Sequence, residues 1–350
     1  MPLLARTVQV PLTIQVRAGA LRALPEVLTD SRISAGGEVA VVVGAGLGEE
    51  VADILRPLLR RAQLFTVVGG TVEAAEELGE KLHSAGFDAV VAVGGGRTID
   101  TVKYAATRHG LPMVTVATSL AHDGIASPVA VLERAGATIS YGAAAPYAVL
   151  VDLDYVRRGP GSRSGVGDAL SNLCATADWE LAHAARGEPI DGLALALSRT
   201  PAEAVLNHAG GIEDEDFLAT LANALVLGGV AMAVAGTSLP CSGGCHEVAH
   251  AITATHPGAG SHGEQVALGA LYCTHLRGDT VLFGRLREAF RRHGLPCTPA
   301  ELGLSGEQFA AAVAAAPATR PGRYTILEHA AQSPAQIAVS VATFVDAAGS

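Results

Sequence analysis

The stretch "HEVAHAITATHPGAGSHGEQ", residues 246–265, carries four of the chain's 12 histidines among mostly small or apolar neighbours. His246 and His250 are spaced i, i+4, so on a helix both imidazoles face the same way. The preceding "SLPCSGG" reads as a turn able to start that helix. His262 follows a Gly- and Pro-containing loop and stands directly ahead of the helical pattern "GEQVALGALYC". Neutral imidazoles from two helix starts can share a metal ion. Two histidines do not make a site, so a third ligand has to come from elsewhere. Asp168, in "SGVGDALSNLCATADWELA", opens the first helix of the second half after a glycine turn. A lone carboxylate at a helix start is most often a cap, and Asp168 gains weight only jointly with the histidines. His256 lies in the loop and reads as a surface residue. Cys241 and Cys245 flank the same turn and could offer thiolates to a structural zinc, but a CxxxC without a second cysteine pair is the lesser reading.

A second kind of chemistry is suggested by glycines that follow apolar runs. In "VVAVGGGRTIDTVKYAA", Gly94, Gly95 and Gly96 let backbone N–H groups approach a pyrophosphate, with the positive end of the helix beginning near Arg97 aimed at it. A plain turn would not require three glycines in series, given their cost in backbone entropy. "VVVGAGLGEE" offers Gly44, Gly46 and Gly48, but its spacing is shortened. The strand that should end in a ribose-binding acid ends instead in Gly69 and Gly70. That copy reads as a tight strand-to-helix turn.

The elements that position these residues divide the chain in two. "EVAVVVGAG", "AQLFTVVGG", "DAVVAVGGG", "PMVTVATS" and "YAVLVDLD" are near-continuous apolar runs, as strands buried on both faces require. Helical patterns such as "GEEVADILRPLLRRA" and "TVEAAEELGEKLHSAGF" lie between the first of them. The expected fold class is α/β: an N-terminal parallel-sheet nucleotide-binding domain over residues 1–155, then an all-helical metal-binding domain over 156–350, rich in Ala and Leu. Net charge is −10, which argues against a nucleic-acid partner and favours a small molecule. No uninterrupted apolar run approaches the roughly 20 residues of a membrane span. No leader is evident, and five scattered cysteines suit a reducing cytoplasm. The surplus of Ala, Val and Leu suits buried helices or the contacts of a homo-oligomer.

In chain order, "GGGRTIDTVKYAA", "TSLAHDGIASP", "GVGDALSNLCATADWELAH", "CSGGCHEVAHAI", "SHGEQVALGAL" and "RPGRYTIL" resemble the sn-glycerol-1-phosphate dehydrogenase family. That family stands in a larger group with glycerol dehydrogenase, iron-containing alcohol dehydrogenases and dehydroquinate synthase. The likeness runs from the first strand to about residue 327. "AHDGIASP" and "GDALSNLCATADWELA" carry the glycerol-phosphate branch, whereas the glycine turn and the HxxxH…HG pattern are shared by the whole group. The resemblance implies hydride transfer between NAD or NADP and a small polyol or ketone, possible phosphorylation of that substrate included. It implies a metal, zinc with nickel or iron as alternatives, held by Asp168, His246 and His262. It places His250 and Asp123 on the substrate, making them catalytic with Asp168. Nicotinamide cofactor binding falls on Gly94, Gly95, Gly96, Thr98, Asp100, Thr118, Ser119 and Ser127.

The sequence also departs from the family pattern. Where relatives read SRPxSGxEH, this chain has "SLPCSGGCH", so Leu239 replaces an arginine and Cys245 a glutamate. A phosphate wants Arg or Lys partners. Arg157, Arg158, Arg163, Arg320 and Arg323 remain available for that role. The departures at Leu239 and Cys245 leave open a related dehydrogenase acting on a different, unphosphorylated or bulkier secondary alcohol or cyclitol. Two other activities fit parts of the pattern: a dehydroquinate synthase-like lyase that recycles its cofactor, and a binding protein without catalysis. Net turnover of the cofactor separates the first from a dehydrogenase, and metal content bears on the second.

Overall fold

The computed structural model describes residues 8–44, 48–59, 62–159 and 161–349. They form two compact units that divide between Ser162 and Arg163. The composition change near residue 155 falls in the short helix Leu153–Val156 of the first unit.

The first unit is built on β1 (Thr13–Arg17), β2 (Val39–Gly44), β3 (Ala62–Val67), β4 (Ala89–Gly94), β5 (Met113–Ala117), β6 (Val129–Arg134), β7 (Ala137–Gly142) and β8 (Ala148–Asp152). Six of these make one sheet in the order β1-β8-β5-β4-β2-β3, with every pairing parallel. β4, β5 and β8 are buried along their whole length, which explains why their sequences run apolar without alternation. Every second residue of the central strands, including Val41, Val43, Val91, Val93, Val114 and Val116, joins Leu21, Leu24 and Ile33 in one core. β1 was not foreseen: "TIQVR" is a half-exposed edge strand. The antiparallel pair β6–β7 was not foreseen either, and its two-residue loop, Ala135 and Gly136, has both φ angles positive as tight hairpins require. Its Ala130 and Leu132 pack with Val72, Ala75 and Tyr104 of the helices Val72–Ala85 and Gly96–His109.

The second unit contains helices and no strand among the described residues. Its framework is Ser162–Arg186, Gly192–Asn207, Glu215–Ala235, Gly244–Thr255, His262–Arg277 and Thr280–His293. Glu215–Ala235 is long and apolar enough to cross a membrane by length and composition, although Thr220 and Asn223 interrupt its apolar run; 61% of its apolar window is buried within the protein. Asp168 does not open the first of these helices, as expected from "GVGD". The helix begins at Ser162 and takes Gly165 and Gly167 into its first turns.

Candidate metal centre and nucleotide cradle

Asp168, His246 and His262 come from three different helices, and close backbone approach brings them together. A Cβ on Gly167 would drive into the Gly263 carbonyl, and one on Gly263 into the Ser164 carbonyl. The Gly263 N–H donates to Ser164 Oγ at 3.0 Å across the same crossing. A Cβ on Gly269 would meet Cys245 backbone atoms at 2.5 and 3.1 Å, so the helices bearing His246 and His262 also touch backbone to backbone. Ser261 and Glu264 form a capping box that starts the second of these helices at His262, satisfying its first amides.

The result is a single convergent donor set. Asp168 Oδ1 lies 3.5 Å from His246 Nε2 and 3.7 Å from His262 Nε2. Among the described residues this is the only group of three His, Cys, Asp or Glu whose ligand atoms lie within 4.8 Å of one another. Two imidazole nitrogens and a carboxylate oxygen suit zinc, iron or nickel, and three ligands leave coordination positions open. His246 turns its other nitrogen, Nδ1, to Cys245 Sγ at 3.5 Å. That contact orients the ring from behind. Cys241 is not part of the cluster, since its thiol faces the Gly228 carbonyl at 3.3 Å. His256 caps the helix end, with Nδ1 against Thr255 Oγ1 at 2.9 Å.

His250 lies one turn from His246, with ring centroids 6.3 Å apart. Burial, followed by the neighbouring His246 and Arg320, pushes its pKa down to about 2. It is therefore a neutral imidazole throughout the working pH range. Its Nδ1 accepts from Arg320 Nε at 3.4 Å, so its proton resides on Nε2.

Two supporting residues escaped the sequence reading. Asp178 accepts the Gly244 and Ile326 N–H groups, both at 2.9 Å, and pairs with Arg277; it fixes the start of the histidine-bearing helix. Nothing in "ATADWELA" marks an aspartate for burial. Glu247 is also buried, with Oε1 lacking a partner, and burial reinforced by Glu328 pushes its carboxyl up to about 8.

In the first unit, Gly44 ends β2 and Gly94 ends β4, on either side of the point where the sheet order reverses. Ligands of open α/β sheets bind in the crevice outside such strand ends. Thr98 is buried beneath both glycines, and a Cβ on Gly94 would meet its side chain at 2.9 Å. A Cβ on Gly96 would strike the His122 ring. Gly95 differs: its φ is −88°, and among the described residues an added Cβ would meet only Ser119 Cβ, at an ordinary 3.5 Å. Among the described residues, internal packing therefore requires glycine at 94 and 96 but not at 95, whose open side leaves room for an approaching ligand. Gly46 and its two neighbours lie outside the described residues.

The other expected cofactor residues split into two sets. Thr118 donates its N–H to the Gly94 carbonyl at 3.0 Å, and Ser119 stands over Gly95. Ser127 and Asp123 belong to the next turn, where the Ser127 N–H donates to the Asp123 carbonyl at 3.1 Å. Asp100 is buried and engaged elsewhere, on Lys103 Nζ at 3.1 Å and on the Val131 N–H at 3.2 Å. Lys103 is itself fully buried, and its Nζ also donates to the Gly124 and Val129 carbonyls at 2.6 and 2.7 Å. The pair pins the Asp123 turn and β6 to the Gly96–His109 helix.

The chain is similar to known proteins over most of its length. The family profile "Iron-containing alcohol dehydrogenase" matches residues 15–160. A glycerol-1-phosphate dehydrogenase [NAD(P)+] of Hyperthermus butylicus is 37% identical over 91% of this chain and 93% of its own. One of Methanospirillum hungatei is 36% identical over 93% and 90%. Among solved structures, a probable glycerol dehydrogenase of Sinorhizobium meliloti superposes with a TM-score of 0.81 at 21% identity, covering 99% of both chains. Glycerol dehydrogenase of Schizosaccharomyces pombe gives 0.78 at 20%, covering 99% of this chain and 91% of its own. On the identity and coverage of these relatives, the chain belongs to the glycerol-1-phosphate dehydrogenase family and has the iron-containing alcohol dehydrogenase fold.

Proposed function

We propose that the chain is a metal-dependent, NAD(P)-linked oxidoreductase that interconverts a small polyol and its ketone, with dihydroxyacetone phosphate as the ketone by analogy with its relatives' activity. The observation that carries this reading is the convergence of Asp168, His246 and His262 on one point, with an open side and a neutral His250 beside it. The donor set fits a divalent ion, and Gly95 leaves backbone room for a pyrophosphate. When bound, the ion supplies a Lewis acid for a carbonyl and the nicotinamide supplies the hydride.

The chain's own residues do the rest. Asp168 brings negative charge to the donor set, and His246 and His262 turn Nε2 towards the same carboxylate oxygen. His250, held neutral by burial, offers its Nε2–H as a hydrogen-bond donor to a substrate oxygen and so orients it. The amides of the Gly94–Gly96 turn take the cofactor phosphates, Thr118, Ser119 and Ser127 line the cofactor, and Asp123 contacts the substrate. Thr98 and Asp100 act by shaping that turn from beneath.

The test is net oxidation of NADH or NADPH by purified, metal-loaded protein presented with dihydroxyacetone phosphate. A steady loss of nicotinamide absorbance supports a dehydrogenase. No net change, with product formed, would instead mean a lyase that recycles its cofactor.

A further inference from the structure

Cys245 and His246 are neighbours in the first turn of the helix Gly244–Thr255. Side chains at i and i+1 of a helix do not ordinarily face each other. Here the Cys245 thiol nevertheless stands 3.5 Å from His246 Nδ1, while Nε2 of the same ring faces Asp168 Oδ1. Cys245 is fully buried, and it is one of the two positions where the chain leaves the pattern of its relatives. Its second polar contact decides which way the hydrogens run. Sγ donates to the Ser171 carbonyl at 3.8 Å, on the helix Ser162–Arg186. Ser171 lies about one turn beyond Asp168 and gives its own hydroxyl hydrogen to the Asp168 carbonyl at 2.7 Å. A carbonyl oxygen only accepts, so it takes the thiol's single hydrogen and leaves the sulfur lone pairs for Nδ1. Nδ1 then carries the proton of the neutral imidazole, and Nε2 keeps the lone pair that a metal ion needs. A thiol donating to Nδ1 would put the ring proton on Nε2 and close His246 to a metal.

We propose that Cys245 is a positioning residue of the metal centre: its thiol carries the polarity of the Ser171 carbonyl on to His246 and holds that ring in the tautomer that coordinates through Nε2. The inference rests on Asp168, His246 and His262 being the ligands, as read above. It adds a closed circuit to them. From Asp168 Oδ1 the path crosses 3.5 Å to His246 Nε2, passes through the ring to Nδ1 and the Cys245 sulfur, reaches the Ser171 carbonyl, and returns along the helix to Asp168. Two ligands from different helices are thereby held in register from both sides. A thiol is a weak donor and a weak acceptor. Full burial removes water as a competitor, and in that low-dielectric surrounding even a weak pair of bonds decides between two tautomers of similar energy.

Zinc affinity, read by competition with a chromogenic chelator, and the nitrogen chemical shifts of the His246 ring in metal-free protein at alkaline pH test this without any turnover. Cys245→Ala should weaken zinc by about tenfold to a hundredfold and leave His246 distributed over both tautomers. Cys245→Ser keeps a hydroxyl able to accept and donate in the same two directions, in a side chain little larger than alanine. It should restore the Nδ1–H tautomer and most of the affinity. Equal weakening in both variants would mean that the sulfur only fills space, and unchanged affinity in both would mean that its bonds do nothing; either result overturns the proposal. The wild-type spectrum decides even if neither variant folds, because a metal-free His246 protonated on Nε2 overturns it as well. His246→Ala separates the two readings. If that variant keeps its zinc, the ligand assignment fails and the role of Cys245 with it; if it loses zinc while the Cys245 variants do not, the ligands stand and only the role of Cys245 falls.

Discussion

Replacing Lys103 with Met would keep the volume of a fully buried side chain and remove its ammonium, which has three partners: Asp100 Oδ1, the Gly124 carbonyl and the Val129 carbonyl. Asp100 would then be left in the interior with the Val131 N–H alone at its other oxygen. Breaking a buried pair from one side costs about 3–5 kcal/mol. Orphaning the Gly124 carbonyl, at about 1–3 kcal/mol, places the expected loss at the upper end of that range. Typical domain stability is only about 5–15 kcal/mol. With a urea slope of about 1–3 kcal/mol per M, the midpoint of the first unit should drop by about 2 M. The single tryptophan, Trp179, belongs to the second unit, so far-UV circular dichroism is the appropriate probe. Amide exchange at Gly124 and Val131 should accelerate with the loss. Asp100→Asn together with Lys103→Met should recover part of it, because the unpaired charge is gone. A loss below about 1 kcal/mol would refute the reasoning, since it would mean that Asp100 had found water or another donor.

Other outcomes follow from the two sites. His246→Ala and His262→Ala should each lose a metal content of about one ion per chain, because a three-ligand site binds poorly with two, whereas His250→Ala should keep the metal and lose turnover. Metal analysis showing the reverse pattern within HxxxH would exchange the roles of His246 and His250. Gly95→Val should fold, given the room around its Cβ, yet fail to quench or shift nicotinamide fluorescence on titration; wild-type affinity in a folded variant would dismiss the glycine cradle. His293 is stacked on Phe217 at 4.7 Å, and burial, then Arg292 and His208, push its pKa from 6.5 down to about 4. Below pH 6.5 the unfolded chain binds a proton that the folded chain refuses, so this residue's share of stability is complete above 6.5 and is lost as pH falls towards 4. His293→Gln should flatten that segment of a stability-against-pH curve, and an unchanged slope would assign it to other groups.

How much was legible in the sequence depended on how far each signal was local. Apolar runs of Val and Ala identified β2, β4, β5 and β8 because burial on both faces removes polar residues from the strand itself; β3 was read from the same kind of run, but it is an edge strand with only Val67 buried, so the expectation of burial on both faces does not hold for it. β1 escaped because an edge strand of mixed polarity resembles a loop, and the hairpin because Ala-Gly is a weaker turn signal than Asn-Gly. The histidine spacing placed His246 and His250 on one face, and the structure adds what the spacing could not hold: Asp168 is a full turn inside its helix and meets His262 through glycines from another helix. Lys103 and Asp178 were illegible for a common reason. Charged residues in helices read as solvated, and only the tertiary contacts that satisfy them reveal their burial.

The glycines at 167, 263 and 269 reverse an ordinary rule of helix chemistry. In an exposed helix, glycine to alanine is favourable by up to about 1 kcal/mol. At these three positions the extra methyl would land on a neighbouring helix's backbone, which cannot rotate away as a side chain can. The helices would have to slide or separate, carrying Asp168, His246 and His262 with them. The most conservative substitution available, in a residue that touches neither metal nor substrate, would thus detune all three donor atoms at once, and a helix-propensity table would rank it as an improvement.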